Sequence, residues 1–404
     1  MKNILESELV DDTATINHIK NLAFSRTATT EGEILAVKYI DSVLKKEKMK
    51  TIIEYFDWTG PKRILMRIAY LIIFSYLILY RLFVIIVAYF ALKFMSAKMR
   101  KMSLIQKEQS KNIYTRIRAK TKAKKRPLII FSAHYDSFSA NVPYRVQSVL
   151  FFIFRIIILP YFVVMISLSL LVIADFFSDQ ISNDLLINLV YSSTLIEFII
   201  IFLIFLLIYD NKKSTGSIDN ASGVSILLEL AKIINKTPLE HHDIIFLWSG
   251  AEEWGMIGSK RFCERHRKKL IKKYDLDHSY AINIDMVGSY IGLLNKTGMR
   301  KKSINKDLNK YINFCAKNLD IPIINYSKLI RPNSDYLSFR SFAKKNNKKM
   351  QVACFHSEKD SKYIHSAKDK PERCSSRNLN ACLDICYNTI LLIDSKRSEL
   401  EEIR

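Results

Sequence analysis

Hydrophobic positions recur along this chain in three rhythms. Ile34, Leu35, Val37, Ile40, Val43 and Leu44 follow helical spacing and predict a helix whose apolar face packs on a soluble domain. TIIEYFDW at 51–58 and NIYTRIRA at 112–119 are dense in β-branched and aromatic residues and predict strands. PLIIFSAHYDS, HDIIFLWSGAEE and SYAINIDMVGS are short apolar runs that end on polar residues, the pattern of buried strands running into loops. SGVSILLELAKIINK, at 222–236, returns to helical spacing. Strands alternating with helices, with polar residues at the strand ends, predict an α/β sheet whose site lies beyond the carboxyl ends of its strands.

The third rhythm is the long apolar block. Ile64 to Phe94, Ile156 to Ala174 and Leu185 to Tyr209 are each long enough, or nearly so, to cross a bilayer core that needs roughly 20 apolar residues. They predict an integral membrane protein with the lipid bilayer as a partner. Flanking segments must return to one side to complete one sheet, so each insertion crosses an even number of times. Ile156–Ala174 and Leu185–Tyr209 then form two spans joined by the acidic loop DFFSDQISND, with Arg145, Arg155, Lys212 and Lys213 at the other ends. The positive-inside rule places the sheet domain on the cytoplasmic face. Ile64–Phe94 is one and a half spans long, holds Arg67 and Arg81, and leaves a hairpin, a re-entrant pair or an in-plane helix open. Glu197, inside a predicted span, marks either a functional site or an ion pair with Arg81 or Arg155.

Composition adds two constraints. The net charge of +23 on 404 residues is spread over loops and helix faces without a nucleic-acid module, so no nucleic-acid partner is expected and an anionic membrane surface explains the charge more simply. The six cysteines show no CxxC pair, which argues against both a disulfide-built ectodomain and a structural zinc knuckle and favours free thiols. The first twenty residues carry acids and no continuous apolar core, so no cleaved signal peptide is expected.

Five patches carry chemistry: SAHYDS at 132–137, IDNASGVS at 218–225, SGAEEWGMIGS at 249–259, NIDMVGS at 283–289 and YIHSAKDKPE at 363–372. His134 and Asp136 leave a buried strand with i, i+2 spacing, His134 suited to a metal and Asp136 to orienting its imidazole. Asp219 precedes small residues that start a helix, where an N-cap role competes with a ligand role. Glu252 and Glu253 are adjacent carboxylates at a buried strand end, which repel unless a cation or a shared proton is present; a ligand and a neighbouring general base divide that labour. Asp285 repeats the strand-end placement. His365 gains its weight from the other patches, with His356 as its rival.

In these patches and their order the chain resembles the co-catalytic zinc aminopeptidases, the family of bacterial leucyl aminopeptidases and glutamate carboxypeptidase II. The resemblance covers roughly residues 1–57, 109–140 and 214–395. It implies a discontinuous peptidase domain (1–57, 109–140 and 214–404) with a mixed central sheet flanked by helices, from which the membrane insertions expected at 58–108 and, with two transmembrane helices, at 141–213 depart. It implies two zinc ions: His134 and Asp285 on one, Glu253 and His365 on the other, Asp219 bridging, with Glu252 as general base and Asp136 supporting His134. Two ions about 3.5 to 4 Å apart would share the activation of water for peptide hydrolysis. The expected activity is removal of amino-terminal residues from peptides. Glutaminyl-cyclase-like acyl transfer is the alternative within enzymes, and a non-catalytic membrane receptor the alternative outside them. The chain departs from its relatives at RPNSDYLSF, where Tyr336 stands in place of a common His. Neither residue preference nor oligomeric state is legible.

Overall fold

The computed structural model describes residues 13–60, 77, 108–153, 183–329 and 332–402, together with 156, 163, 167, 170, 171 and 174. The chain divides into one compact unit of Met1–Trp58, Gln109–Ser139 and Asn211–Arg404 and a second of Thr59–Glu108 and Ala140–Asp210.

The first unit is built on a nine-stranded sheet. Its elements are α1 (Ala14–Asn21), α2 (Glu31–Lys46), β1 (Thr51–Trp58), β2 (Glu108–Ile117) and β3 (Leu128–His134). The second unit contributes α3 (Asn183–Ile208), after which the first resumes with α4 (Ser222–Lys236), β4 (Asp243–Ser249), α5 (Ile257–Lys273) and β5 (Tyr280–Ile284). The last third holds β6 (Gly292–Thr297), β7 (Lys302–Ser303), α6 (Leu308–Asn318), β8 (Ile324–Lys328), α7 (Tyr336–Lys345), β9 (Gln351–Phe355) and α8 (Ser376–Glu402). Strand order is β1-β2-β4-β3-β5-β9-β6-β7, with β8 paired to β6. β4, β3, β5 and β9 run parallel in the middle, while β2 joins β4 antiparallel, so the sheet is mixed.

Alternation along the central strands feeds two cores. Leu128 and Ile130 of β3 and Ile245 and Leu247 of β4 pack against Phe262 and Leu270 of α5 and Phe339 and Phe342 of α7. On the opposite face Phe131 stacks on Phe246 at 5.5 Å, and the Trp248 indole N–H reaches the Val224 carbonyl of α4 at 3.5 Å. α2 buries Val37, Ile40, Val43 and Leu44 as its spacing predicts, but Ile34 and Leu35 of the expected face are 42% and 47% exposed. Their neighbour Glu33 takes the inward position instead: fully buried, it accepts the Tyr135 hydroxyl at 3.0 Å and the Thr29 N–H at 2.7 Å. All six cysteines are free and buried.

The integral-membrane expectation is corrected. Among the described residues no helix is long and apolar enough to cross a membrane. In sequence, Leu185–Tyr209, which overlaps α3, is interrupted by Asn188, Ser192, Ser193, Thr194 and Glu197, residue types that are each costly in hydrocarbon. Among the described residues there is no span to orient, so the positive-inside argument for a cytoplasmic face and the lipid-bilayer partner draw no support from them. The block Ile64–Phe94, apart from Leu77, and most of Ile156–Ala174 lie outside the described residues, as does the Glu197 side chain.

Candidate metal centre

Parallel pairing brings the motif ends to one edge of the sheet. β3 and β4 are in register from Leu128↔Asp243 to His134↔Ser249, so HYDS and the GAEE turn leave the sheet side by side. β5 pairs with β3 on its other side and releases Asp285 beside them. Asp219 comes from the loop that enters α4, and its peptide bond to Asn220 is cis. Asn220 then staples two loops together: its amide donates to the Ile284 carbonyl at 2.9 Å and its Oδ1 accepts the Gly223 and Met286 N–H groups at 2.9 and 3.1 Å. The approach admits only glycine at 223, where a Cβ would stand 2.4 Å from the Ile284 carbonyl oxygen. Ala251, Met286 and His365, none of them glycine, hold φ of +53°, +66° and +53°, the kind of backbone strain that concentrates at functional sites.

The side chains converge around Asp219. Its Oδ1 lies 3.0 Å from His134 Nε2 and its Oδ2 lies 3.5 Å from His365 Nε2, so the two oxygens address two different imidazoles. His134 Nε2 is also 3.6 Å from Asp285 Oδ1, and His365 Nε2 is 2.9 Å from Glu253 Oε2. Ligand-type atoms of His134, Asp219 and Glu253 all lie within 4.8 Å of one another, a spacing that could hold a metal ion. Asp219 Oδ1 and Glu253 Oε1 are buried without a hydrogen bond, even though Oδ1 is within reach of His134. Buried anionic oxygens left in that state call for a cation, and nitrogen and carboxylate donors of this kind suit zinc. Five of the seven residues that sequence reasoning selected meet here, Asp136 stands 3.6 Å from His134, and Glu252 sits on the turn whose N–H groups Asp136 accepts.

Asp136 faces both His134 and the glutamate turn. Its carboxylate is 3.6 Å from His134 Nδ1, which also faces the Asp136 backbone carbonyl at 3.1 Å. The carboxylate accepts the Glu252 and Glu253 N–H groups at 3.0 and 3.2 Å, so it fixes the turn that carries both glutamates. His356, the rival to His365, points its Nδ1 at the Asp285 carbonyl at 3.1 Å and its Nε2 at Glu358 at 3.3 Å. It therefore supports the loop bearing Asp285. The His365 ring meets Phe138 edge-on at 5.3 Å, and Phe138 meets Trp254 edge-on at 5.4 Å, an aromatic contact that sets the imidazole plane.

Electrostatics follow from crowding carboxylates where water is scarce. Burial works against the charge on Asp219, yet His134 and His365 hold its carboxyl far below the usual range. Burial also works against the His365 imidazolium, but Glu253 and Asp219 raise it to about 10. Glu253 is pushed up to about 7 by burial and then by Asp219, against the pull of His365. Burial lifts Glu252 well above the usual value; His134 pulls it down, while Asp285, Asp335 and Glu253 push it further up.

Three buried supports escaped sequence reasoning. Arg26, fully buried, donates to the carbonyls of Tyr135, Thr215 and Gly216, each at 2.7 Å, and so ties the HYD loop to the loop before Asp219. Asp369, inside the YIHSAKDKPE patch, accepts the Ile218 N–H at 2.6 Å and the Asp219 N–H at 3.4 Å. Asp335 accepts the Ser249 and Ser259 hydroxyls behind the GAEE turn. Its neighbour Tyr336 is fully buried in the core with Phe339. No local pattern marks these residues. Only the SD pair in RPNSDYLSF and the first acid of IHSAKDKPE offered a signal.

Comparison with known proteins gives a consistent picture. Residues 207–390 match the profile of Peptidase family M28. The chain is 36% identical over 76 residues to "Aminopeptidase YwaD" of Bacillus subtilis (strain 168), covering 19% of this chain and 16% of that protein. An "Aminopeptidase" of Pseudomonas aeruginosa (strain UCBPP-PA14) is 38% identical over 77 residues, 18% of this chain and 13% of its own length. The stretches matched are thus well under a fifth of those curated relatives. Among solved structures, an aminopeptidase from Aneurinibacillus sp. strain AM-1 superposes with a TM-score of 0.57 at 14% identity, over 96% of this chain and 95% of that one. BSAP, a zinc aminopeptidase from Bacillus subtilis, gives 0.54 at 15% identity over 95% of both chains. A glutaminyl cyclase from Bacteroides thetaiotaomicron gives 0.55 at 15% identity, over 94% and 97%. At these identities the structural likeness establishes the fold.

Proposed function

We propose that this chain, whose residues 207–390 match Peptidase family M28, is a zinc metallopeptidase that removes amino-terminal residues from peptides and holds two ions. The observation that carries the reading is Asp219 between two imidazoles, one oxygen to each. It divides the donors into two sets that share Asp219: His134 with Asp285, and His365 with Glu253. Bound zinc supplies a Lewis acid that polarises the scissile carbonyl and brings the pKa of water down to about 7.

The protein's own groups supply the rest. Glu252, held by its backbone N–H on Asp136, accepts a proton from the attacking water and returns it to the leaving amine, a role its raised proton affinity suits. The surplus of buried carboxylates favours a substrate that brings a positive charge, and the free ammonium of a peptide is such a charge. Asp136, Asp369 and Arg26 hold the loops still, so that the donors do not rearrange as charge develops.

Glutaminyl-cyclase-like acyl transfer is the second reading, because a cyclase superposes on this fold as well as the aminopeptidases do. One experiment separates them. The protein is assayed on free peptides, amino-blocked peptides and a peptide with amino-terminal Gln, alongside Glu252→Gln, with zinc measured in both proteins. Cleavage of free peptides alone, reduced about 10²- to 10⁴-fold in the variant at unchanged zinc content, is the expected result. Loss of ammonia from the Gln peptide without cleavage would replace the peptidase reading with the cyclase one.

A further inference from the structure

A second cleft lies on the sheet face covered by α5, lined by residues that the proposed chemistry does not use. Strand alternation puts Tyr114 and Arg116 of β2 on one face, continued by Arg118 just beyond the strand, with Lys50 and Ile52 at β1 beside them. Helical spacing turns Phe262, His266, Lys269 and Lys273 of α5 toward that face. Between them is a cavity of about 400 Å³ with an apolar floor of Ile245, Phe262 and Leu270. A smaller cavity of about 260 Å³ shares Arg118 and Tyr274 with it and reaches Lys124, Arg126 and Lys273.

Charge around this cleft is unbalanced. Glu54 is taken by His266 at 2.7 Å and Arg265 at 3.7 Å, and Asp243 by Arg126 at 3.0 Å and Lys273 at 3.7 Å. Among the described residues no carboxylate comes within 4.0 Å of Lys50, Arg116, Arg118 or Lys269. The Lys273 ammonium registers the crowding: burial and then Arg116, Arg118 and Lys269 hold it below its ordinary value in spite of Asp243. Like charges over an apolar floor focus a positive potential into the cavity, and an anion entering it relieves their repulsion.

We propose that this cleft binds a small phosphorylated anion, with Arg116, Arg118 and Lys269 holding the phosphate. Guanidinium forks and an ammonium are the side chains that best match phosphate oxygens, and the cavity has the size of a small-molecule site rather than an extended track. The tyrosines Tyr114 and Tyr274 and the apolar floor offer a surface for the rest of the ligand.

The test is calorimetric titration of the full chain with inorganic tripolyphosphate at constant ionic strength. Saturable binding at one site, weakened about tenfold or more in Arg116→Gln/Lys269→Gln and unchanged in Lys310→Gln/Lys317→Gln on α6, is the expected result. Lys269→Gln alone, at an exposed position, repeats the measurement in a variant whose fold is not at risk. Equal affinity in cleft and control variants, or heat explained by ionic strength alone, would overturn the proposal. So would a single-stranded oligonucleotide that binds more tightly per phosphate than tripolyphosphate, because that describes an extended surface.

Discussion

The Asp136 carboxylate accepts the Glu252 backbone N–H at 3.0 Å, so the group proposed as general base is positioned by a residue two places beyond a proposed metal ligand. Both residues are buried, at 1% and 7% exposure, and the bond is not in competition with bulk water. Replacing Asp136 with Asn removes the negative charge and turns an amide donor toward one of the two N–H groups it now accepts. Turnover is expected to fall about tenfold to a hundredfold, the worth of a charge-assisted hydrogen bond, with zinc content nearly unchanged. Loss of zinc in step with activity would show instead that Asp136 acts through His134.

Zinc binding is expected to release protons and to weaken in acid. In the metal-free protein Glu253 titrates at about 7 and His365 at about 10, and each must be deprotonated to bind a metal. Below those values the protons compete with the ion, so affinity falls as pH drops through 7. Calorimetry in two buffers of different ionisation enthalpy measures the released protons directly. A heat independent of buffer would rule the coupling out.

Arg26 is expected to be indispensable to both loops it ties. Burial lowers its pKa to about 10, with Asp369, Asp136, Asp219 and Glu253 acting in the other direction, so it stays charged at neutral pH. Arg26→Met leaves the carbonyls of Tyr135, Thr215 and Gly216 without this partner. A loss of about 3 to 5 kcal/mol in urea unfolding is expected, the scale for breaking a buried charged network. A loss under about 1 kcal/mol would mean that water replaces the guanidinium.

Asp394 is expected to stabilise the fold at neutral pH and not in strong acid. Near the end of α8 it accepts the N–H groups of Glu240, His241 and His242 at 2.8, 3.1 and 3.1 Å and faces His242 Nδ1 at 2.8 Å, which ties the helix to the start of β4. Burial opposes its charge, but His242 and the backbone N–H groups hold it below the ordinary carboxylate value. Its folded pKa is depressed, so its contribution is complete above the unfolded value of about 3.9 and is lost as pH falls through the lower folded value. Asp394→Asn should cost about 1 to 3 kcal/mol at pH 7, and the gap to the unsubstituted protein should close on acidification below pH 4. Thermal unfolding across pH 3 to 7 checks this. A gap that persists in acid would point to packing.

Sequence alone determined what short-range pattern can express. Apolar runs with polar ends specified β3, β4 and β5, helical spacing specified α4, and the chemistry of each patch named the donors that converge on Asp219. These features are local, because a strand's burial and the residue at its end are written in adjacent positions. Tertiary structure decided the rest. Only parallel register sets HYDS beside GAEE, and so brings the Asp136 carboxylate to the glutamate backbone as well as to His134. Only the packed loops choose His365 over His356, and only burial makes Arg26, Asp335 and Asp369 matter, since their partners lie far away along the chain. The length of the apolar blocks suggested spans, but no described helix is long and apolar enough to be one, because block length records how many apolar residues a segment holds and not how its polar positions are distributed.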